Sequence, residues 1–196
     1  FNPLIATAGT TFEEVMKFDS IHAKARAGDA VSQYETGRCF ASGLGVAINY
    51  ASAVEWLLKS SEQDYAPAHT ALGSCYVNGY GVQRDRLEAY AYYGLAAPRD
   101  AEAQKNINIL DGTFSVEVRE QATQRFKEKL RNLEEIKKDK AEKEALAKAE
   151  FSRCKSAAYK GDRGELLKLG TYFASGHGPP KDKIEAWAFL NLAGKS

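Results

Sequence analysis

The chain has 196 residues, 44% of them hydrophobic and 27% charged, with a formal net charge of +1. That is the balance of a soluble folded protein, and it lacks the basic excess that a nucleic-acid or acidic-membrane footprint requires. No apolar run approaches ~18 residues, so no membrane span is predicted.

The sequence starts at Phe1 without an initiator methionine, which we read as a processed product or an excised piece. Residues 1–10 lack the charged start and long apolar centre of a signal peptide and are predicted to be extended or disordered. Thr11-x-x-Glu14 reads as a capping box. A helix is predicted from there to about Ala27, with Phe12, Val15, Met16 and either Phe18 or Ile21 buried. Gly28-Asp29 stops it, so residues 1–29 form an N-terminal capping element.

A pattern of glycines follows and occurs three times. Gly37, Gly43 and Gly45 become Gly73, Gly79 and Gly81 under a shift of 36, and Gly170, Gly176 and Gly178 under a further shift of 97. Asn49, Asp85 and Asp182 keep the same register, as do Ala53, Ala89 and Ala186, and Trp56, Tyr92 and Phe189. Each copy reads as helix, glycine loop, helix. The first helix begins near Ala30, Ala66 or Arg163. Gly37, Gly73 and Gly170 lie inside it, where glycine costs about 1 kcal/mol relative to alanine, which implies close approach of a neighbouring helix. Gly43, Gly79 or Gly176 ends it in the left-handed conformation. Asn49, Asp85 and Asp182 are N-caps of the second helix, and Glu88 and Glu185 are placed to complete capping boxes. The second helix carries an apolar face: Leu87, Tyr90, Tyr92 and Leu95 in the middle copy, and Ile184, Trp187, Phe189, Leu190 and Leu192 in the last. One helix pair cannot bury such a face alone, so the copies must stack.

At Leu72-Gly73, Tyr76, Gly79-Tyr80-Gly81-Val82, Asp85 and Glu88-Ala89-Tyr90 the chain resembles the Sel1-like repeat, a relative of the tetratricopeptide repeat. Leu169-Gly170, Tyr172, Gly176, Gly178, Asp182 and Glu185-Ala186-Trp187 carry the same marks. The first copy departs from them, with Thr36 before its glycine and Phe40 in place of the tyrosine. The resemblance covers roughly half the chain. It implies an all-α fold, a right-handed superhelical solenoid of helix hairpins, that serves as an adaptor or scaffold. It also suggests a bacterial periplasmic or secreted location.

Residues 30–97 hold the first two copies, and residues 160–196 the third. Between them, 98–159 reads as an atypical helix pair stacked on the second copy. Pro98 breaks the chain, and a short helix is predicted near Asp100 to Leu110, with Ala101, Ala103, Ile107 and Leu110 available for packing. From Thr113 to Lys160 there is no glycine or proline. With Ser115 as cap, one helix over 116–159 is expected, about 65 Å long at ~1.5 Å per residue. Ala122, Phe126, Leu130 and Leu133 share a face in its first half. Glu134 to Glu144 is nearly all charge, with Glu134–Lys138 and Asp139–Lys143 at the favourable spacing. That run reads as a solvated helix face, and the alternative is self-association through 115–159.

Cys39 and Cys75 are the same repeat position and are assigned to the core. Stacked helix axes lie ~8–10 Å apart, too far for a disulfide between equivalent sites. His22, His69 and His177 form no His-x-x-x-His pair and there is no Cys-x-x-Cys, so no metal or other cofactor is expected. His69 lies on a repeat helix and is a candidate groove residue. Gly43-Leu-Gly45 and Gly79-Tyr-Gly81 join helices and lack the third glycine of a dinucleotide loop. Gly194-Lys195-Ser196 has Phe189 where a phosphate loop needs glycine. No catalytic residues are assigned.

In tetratricopeptide-like solenoids the first helix of each pair lines the concave side. Repeat-equivalent positions off the core are Arg38, Ser74 and Thr171, and Ser42, Asn78 and Ser175. They vary between copies while their neighbours do not, which suits a partner-specific surface and equally suits plain solvent exposure. The sequence therefore points to a non-enzymatic scaffold that binds a protein or peptide. The alternatives are an accessory module of a bacterial envelope or secreted enzyme system, or an enzyme with an unrecognised site.

Overall fold

The computed structural model describes residues 11–160 and, beyond them, 162, 164, 165, 167, 168 and 171. Seven helices are defined within these residues, and no strand: α1 (Phe12–Arg26), α2 (Ala30–Ser42), α3 (Tyr50–Ser61), α4 (Ala66–Asn78), α5 (Arg86–Ala96), α6 (Ala101–Asp111) and α7 (Val116–Tyr159). The chain divides into two compact units, residues 1–137 and 138–196. Most of the third glycine pattern, Ser175 included, lies outside the described residues.

Local chemistry sets the helix ends. Thr11 and Glu14 form the full capping box, with the Thr11 hydroxyl accepting from the Glu14 N–H and the Glu14 carboxylate accepting from the Thr11 N–H. Asp29, Asn49, Asp85 and Asp100 accept N–H groups at the starts of α2, α3, α5 and α6. Helix α4 has no side-chain cap; Pro67 in its first turn removes a donor that would otherwise lack a partner. Gly43 and Gly79 end α2 and α4 at φ 78°, the left-handed region that glycine enters without strain.

Each hairpin closes over a glycine. A Cβ on Gly37 would meet Leu57 and the Ala53 carbonyl on α3, and one on Gly73 would meet the Tyr93 ring on α5 at 2.6 Å. A second glycine fixes how successive elements lean on one another. Gly45 rests against Glu14 and Phe18 of α1, and Gly81 against the Tyr50 backbone at the start of α3, with no room for a side chain at either.

Two apolar clusters fill the first unit. Val54 and Leu57 of α3 meet Ala68, Leu72 and Cys75 of α4 and Tyr92 of α5. Ala89, Tyr93 and Ala96 of α5 meet Ala103, Ile107 and Leu110 of α6, then Phe114 and Ala122. Cys39 and Cys75 are buried free thiols, and burial pushes both thiol pKa values up. Helix α7 continues the stack: a Cβ on Gly94 of α5 would meet the Phe126 ring, and Leu133 is buried.

Several side chains depart from the sequence expectation. Phe12 and Met16 are exposed, because only the stripe Val15, Phe18, Ala25 of α1 faces covering elements. Ala101 is exposed at the start of α6, outside the Ala103–Ile107–Leu110 stripe. Leu130 is also exposed, and Lys129 turns toward α5 in its place. Glu88 does not complete a capping box: Asp85 accepts from the Leu87 and Glu88 N–H groups, its own N–H goes to the Tyr76 carbonyl, and the Glu88 carboxylate pairs with α7. In the second unit Asp139–Lys143 pairs at 3.4 Å as expected, while Lys138 pairs with Glu142 rather than Glu134.

Gly73→Ala tests the hairpin closure. Tyr93 is buried and its hydroxyl is tied to Ser74, so the ring cannot step aside. We expect a loss of about 1–3 kcal/mol in urea denaturation, as for other overpacked cores. An unchanged midpoint would show that the ring yields.

Candidate binding surface

Arg38, Ser42 and Asn78 lie on the exposed sides of α2 and α4. The Arg38 guanidinium stands 5.8 Å from the Tyr34 ring centre and 3.4 Å from the Glu35 carboxylate. Ser42 and Asn78 make the same bond in two successive copies: each donates to the carbonyl four residues earlier, Arg38 and Ser74, in the last turn before the capping glycine. Ser74 is half-buried and its hydroxyl meets the Tyr93 hydroxyl at 3.1 Å, which engages it in the hairpin. Thr171 is exposed in the second unit, with its hydroxyl on the Lys168 carbonyl. Arg38, Ser42 and Asn78 thus share the side of α2 and α4 away from α3 and α5.

The opposite side is occupied. Helix α7 covers α5 and reaches the α3–α4 turn through a ladder of ion pairs. Arg125 pairs with Glu88 at 2.9 Å, Lys129 with the same carboxylate, and Lys137 with Asp64 at 2.5 Å. Lys129 also stands over the Tyr92 ring at 4.1 Å. Asp64 takes Arg99 as well, at 2.6 Å. Its backbone, at φ 57°, is the one left-handed non-glycine among the described residues, and this turns the carboxylate toward all its partners. Burial raises the Asp64 pKa, but hydrogen bonds from Arg99, Lys137 and His69 outweigh it and bring the carboxyl down from 3.8 to about 2.

His69 is not a groove residue. It is buried on α4, with Nε2 3.2 Å from Asp64 and its ring stacked 6.3 Å from Tyr92. Burial holds its pKa below 6.5; the Asp64 carboxylate pulls the other way, but it is already shared by two cations. The crevice around it, lined by Leu58, Glu62, Tyr92, Lys129 and Ile136, has a volume of about 160 Å³. That is below the ~300–1,000 Å³ of ordinary ligand sites. Among the described residues no three His, Cys, Asp or Glu side chains cluster to hold a metal ion.

Sequence reasoning missed Asp64, Arg99, Lys129 and Lys137. One signal was present. Arg125, Lys129 and Lys137 fall within the Ala122–Phe126–Leu133 stripe rather than opposite it, and cations inside an apolar stripe call for carboxylates on the facing helix.

The Sel1 repeat profile matches residues 30–65, 66–97 and 166–196, just over half of the chain. The chain belongs to the Sel1-repeat family. Sel1 repeats generally mediate protein–protein interactions, and proteins built from them are typically non-catalytic scaffolds. A protective antigen of uropathogenic Escherichia coli with an SLR fold is similar in structure, with a TM-score of 0.58 and 26% identity over 62% of this chain and 26% of its own. A Sel1 repeat protein from Oxalobacter formigenes is 32% identical over 44% of this chain and 66% of its own, with a TM-score of 0.43. This Sel1 chain therefore spans about a quarter of the length of the antigen and less than two thirds of the second protein. No curated protein is similar enough in sequence to count as a match.

The buried polar network predicts two steps of acid lability. His69 is held below its ordinary 6.5, so the unfolded chain takes up its proton first and stability falls as pH drops below about 6.5. Asp64 is held below 3.8, so its contribution is complete above about pH 4 and is lost as pH falls toward about 2. Melting temperatures measured from pH 8 to pH 2 should show both declines. His69→Gln should shrink the first, leaving the share from His22, which burial also holds down. Asp64→Asn should weaken the second. Profiles parallel to wild type in both variants would contradict this assignment.

Proposed function

We propose that this Sel1-repeat chain is a non-catalytic scaffold that holds a protein or peptide partner along the exposed side of α2 and α4. The observation that carries this reading is the asymmetry of the first unit. The chain's own α7 covers the outward face of α5 through Glu88 and Tyr92, while Arg38, Ser42 and Asn78 stay exposed. Arg38 offers a planar donor set suited to a carboxylate, and the neighbouring Val31 and Tyr34 offer apolar contact. An extended segment with an acidic side chain fits this chemistry.

The surroundings belong to the same proposal. The similar structures are bacterial proteins, and no helix among the described residues is long and apolar enough to cross a membrane. The alternative, which the resemblance to Sel1-like proteins suggests, is an accessory module of a bacterial envelope or secreted enzyme system, in a periplasmic or secreted setting.

The test uses the full chain as bait against extract of its own organism, followed by titration of the purified captured protein. Arg38→Glu with Asn78→Glu should weaken that affinity at least about tenfold, or ~1.4 kcal/mol. Melting curves check that the variant is folded. Unchanged affinity for a partner that wild type binds would overturn the assignment of this face.

A further inference from the structure

Two carboxylates, Glu88 and Asp64, hold α7 by charge, and they differ in one respect. Glu88 takes Arg125 and Lys129, which stay charged at any pH the fold survives. Asp64 takes Lys137 and Arg99, and it also bonds the buried His69. Lys137 is the last residue of the first unit. The outer fastening of α7 therefore shares its carboxylate with a side chain that titrates near neutral pH.

The surroundings of His69 suit one protonation state only. Asp64 is ionised, so Nε2 donates to it at 3.2 Å and the lone pair lies on Nδ1. Nδ1 is sealed from solvent and has no hydrogen-bond partner. A neutral ring can bear that. A second proton would place both a donor and a positive charge where neither water nor an acceptor reaches. The neighbours add to the conflict. Glu62 and Asp64 face the ring from the end of α3 and the turn after it, Tyr92 from α5, Arg99 from the α5–α6 turn, and Lys129 and Lys137 from α7. Asp64 is the one that bonds the ring, and it already serves two cations. Burial and these cations hold the His69 pKa below 6.5.

A proton on His69 must therefore be met by movement, and the bonds to Asp64 show where. Arg99 makes three: two to the carboxylate and one to the Asp64 carbonyl. Lys137 makes one, from a half-exposed ammonium on a flexible stem. It also lies beyond Leu133, the last buried side chain of the α7 stripe. Lys137 is the partner that yields.

We propose that His69, Asp64 and Lys137 form an acid-operated latch, in which a proton on His69 displaces Lys137 from Asp64 and frees residues 133–137 of α7 from the α3–α4 turn. Release opens the crevice between α7 and Leu58, Tyr92 and Leu95, while Glu88 keeps the earlier turns of α7 in place. It is a local step, distinct from loss of the whole fold, and it does not depend on what the exposed sides of α2 and α4 bind. The sign follows from linkage. The ring has its ordinary pKa of 6.5 when open and a lower one when closed, so the open share rises as pH falls below about 6.5. The rise is at most about tenfold per pH unit, and it levels off once the closed ring also takes the proton. Asp64, at about 2, stays ionised throughout. His22 titrates in the same range but packs among Phe18, Phe40 and Trp56, none of them on α7.

Hydrogen exchange of the full chain between pH 7.5 and pH 5, corrected for the intrinsic exchange rate, tests this. In wild type, protection of residues 62–69 and 130–137 should fall about fivefold or more across that range, while residues 116–128 keep theirs. His69→Gln, which keeps a neutral donor for Asp64, should remove the pH dependence from both segments. Lys137→Gln, an exposed change that the fold tolerates, should lower protection of 130–137 already at pH 7.5. Protection that does not change with pH in wild type would overturn the proposal. So would a pH dependence that persists in His69→Gln, a loss shared equally by 116–128, or a Lys137→Gln chain protected as wild type at pH 7.5.

Discussion

A single helix hairpin of this kind cannot cover its own apolar face, and that limit shapes the first unit. Helix α5 shows it most clearly. Its adjacent residues Tyr92 and Tyr93 point into two different cores, the first shared with α3 and α4, the second with α6 and the start of α7. Both rings are buried, so α5 needs an element on each side. The first copy supplies one neighbour. The stretch after Pro98 supplies the other, although it lacks the glycine pattern of the copies around it. The repeat is thus continued by packing after it has ceased in sequence.

Helix α7 is held in that place by charge as much as by apolar contact. Ala122, Phe126 and Leu133 provide a narrow stripe. Between and beyond them, Glu88 receives two cations from α7 and Asp64 receives Lys137 together with Arg99 from the turn between α5 and α6. An isolated exposed pair contributes only about 0.2–1 kcal/mol. Here each carboxylate is mostly covered and serves several donors at once, and charge-assisted bonds of that kind are both stronger and more directional. The result specifies the position of α7 more tightly than its thin apolar stripe would. It also commits the outward face of α5 to an internal contact, while the exposed sides of α2 and α4 stay outside that contact.

The elements legible in the sequence were those with a local cause. Gly43 and Gly79, Asp29, Asn49 and Asp85, and the capping box at Thr11 each act within a few residues, so spacing alone reveals them. Gly37 and Gly73 were legible one step further, because a glycine inside a helix implies something pressed against it. The misreadings arose where a distant helix decides. Glu88 suited a capping box until α7 offered two cations. Phe12 and Met16 suited a core until α1 proved to be covered on one stripe only. Ser74 shares the repeat position of the exposed Arg38, but Tyr93 on the facing helix engages its hydroxyl. Periodicity also assigned Leu130 to the face of α7, and the carboxylate of Glu88 drew Lys129 there instead.

The claim on which the rest depends is that the first half of α7 is part of the stack rather than an appendage. Hydrogen exchange of the full chain, read by mass spectrometry in wild type and Phe126→Ala, addresses it most directly. Phe126 fills the space over Gly94, so its removal opens the contact between α7 and α5. If α7 completes the second core, protection should fall together in α5, α6 and residues 116–137, by similar amounts. Loss confined to α7, with α5 and α6 protected as in wild type, would contradict it.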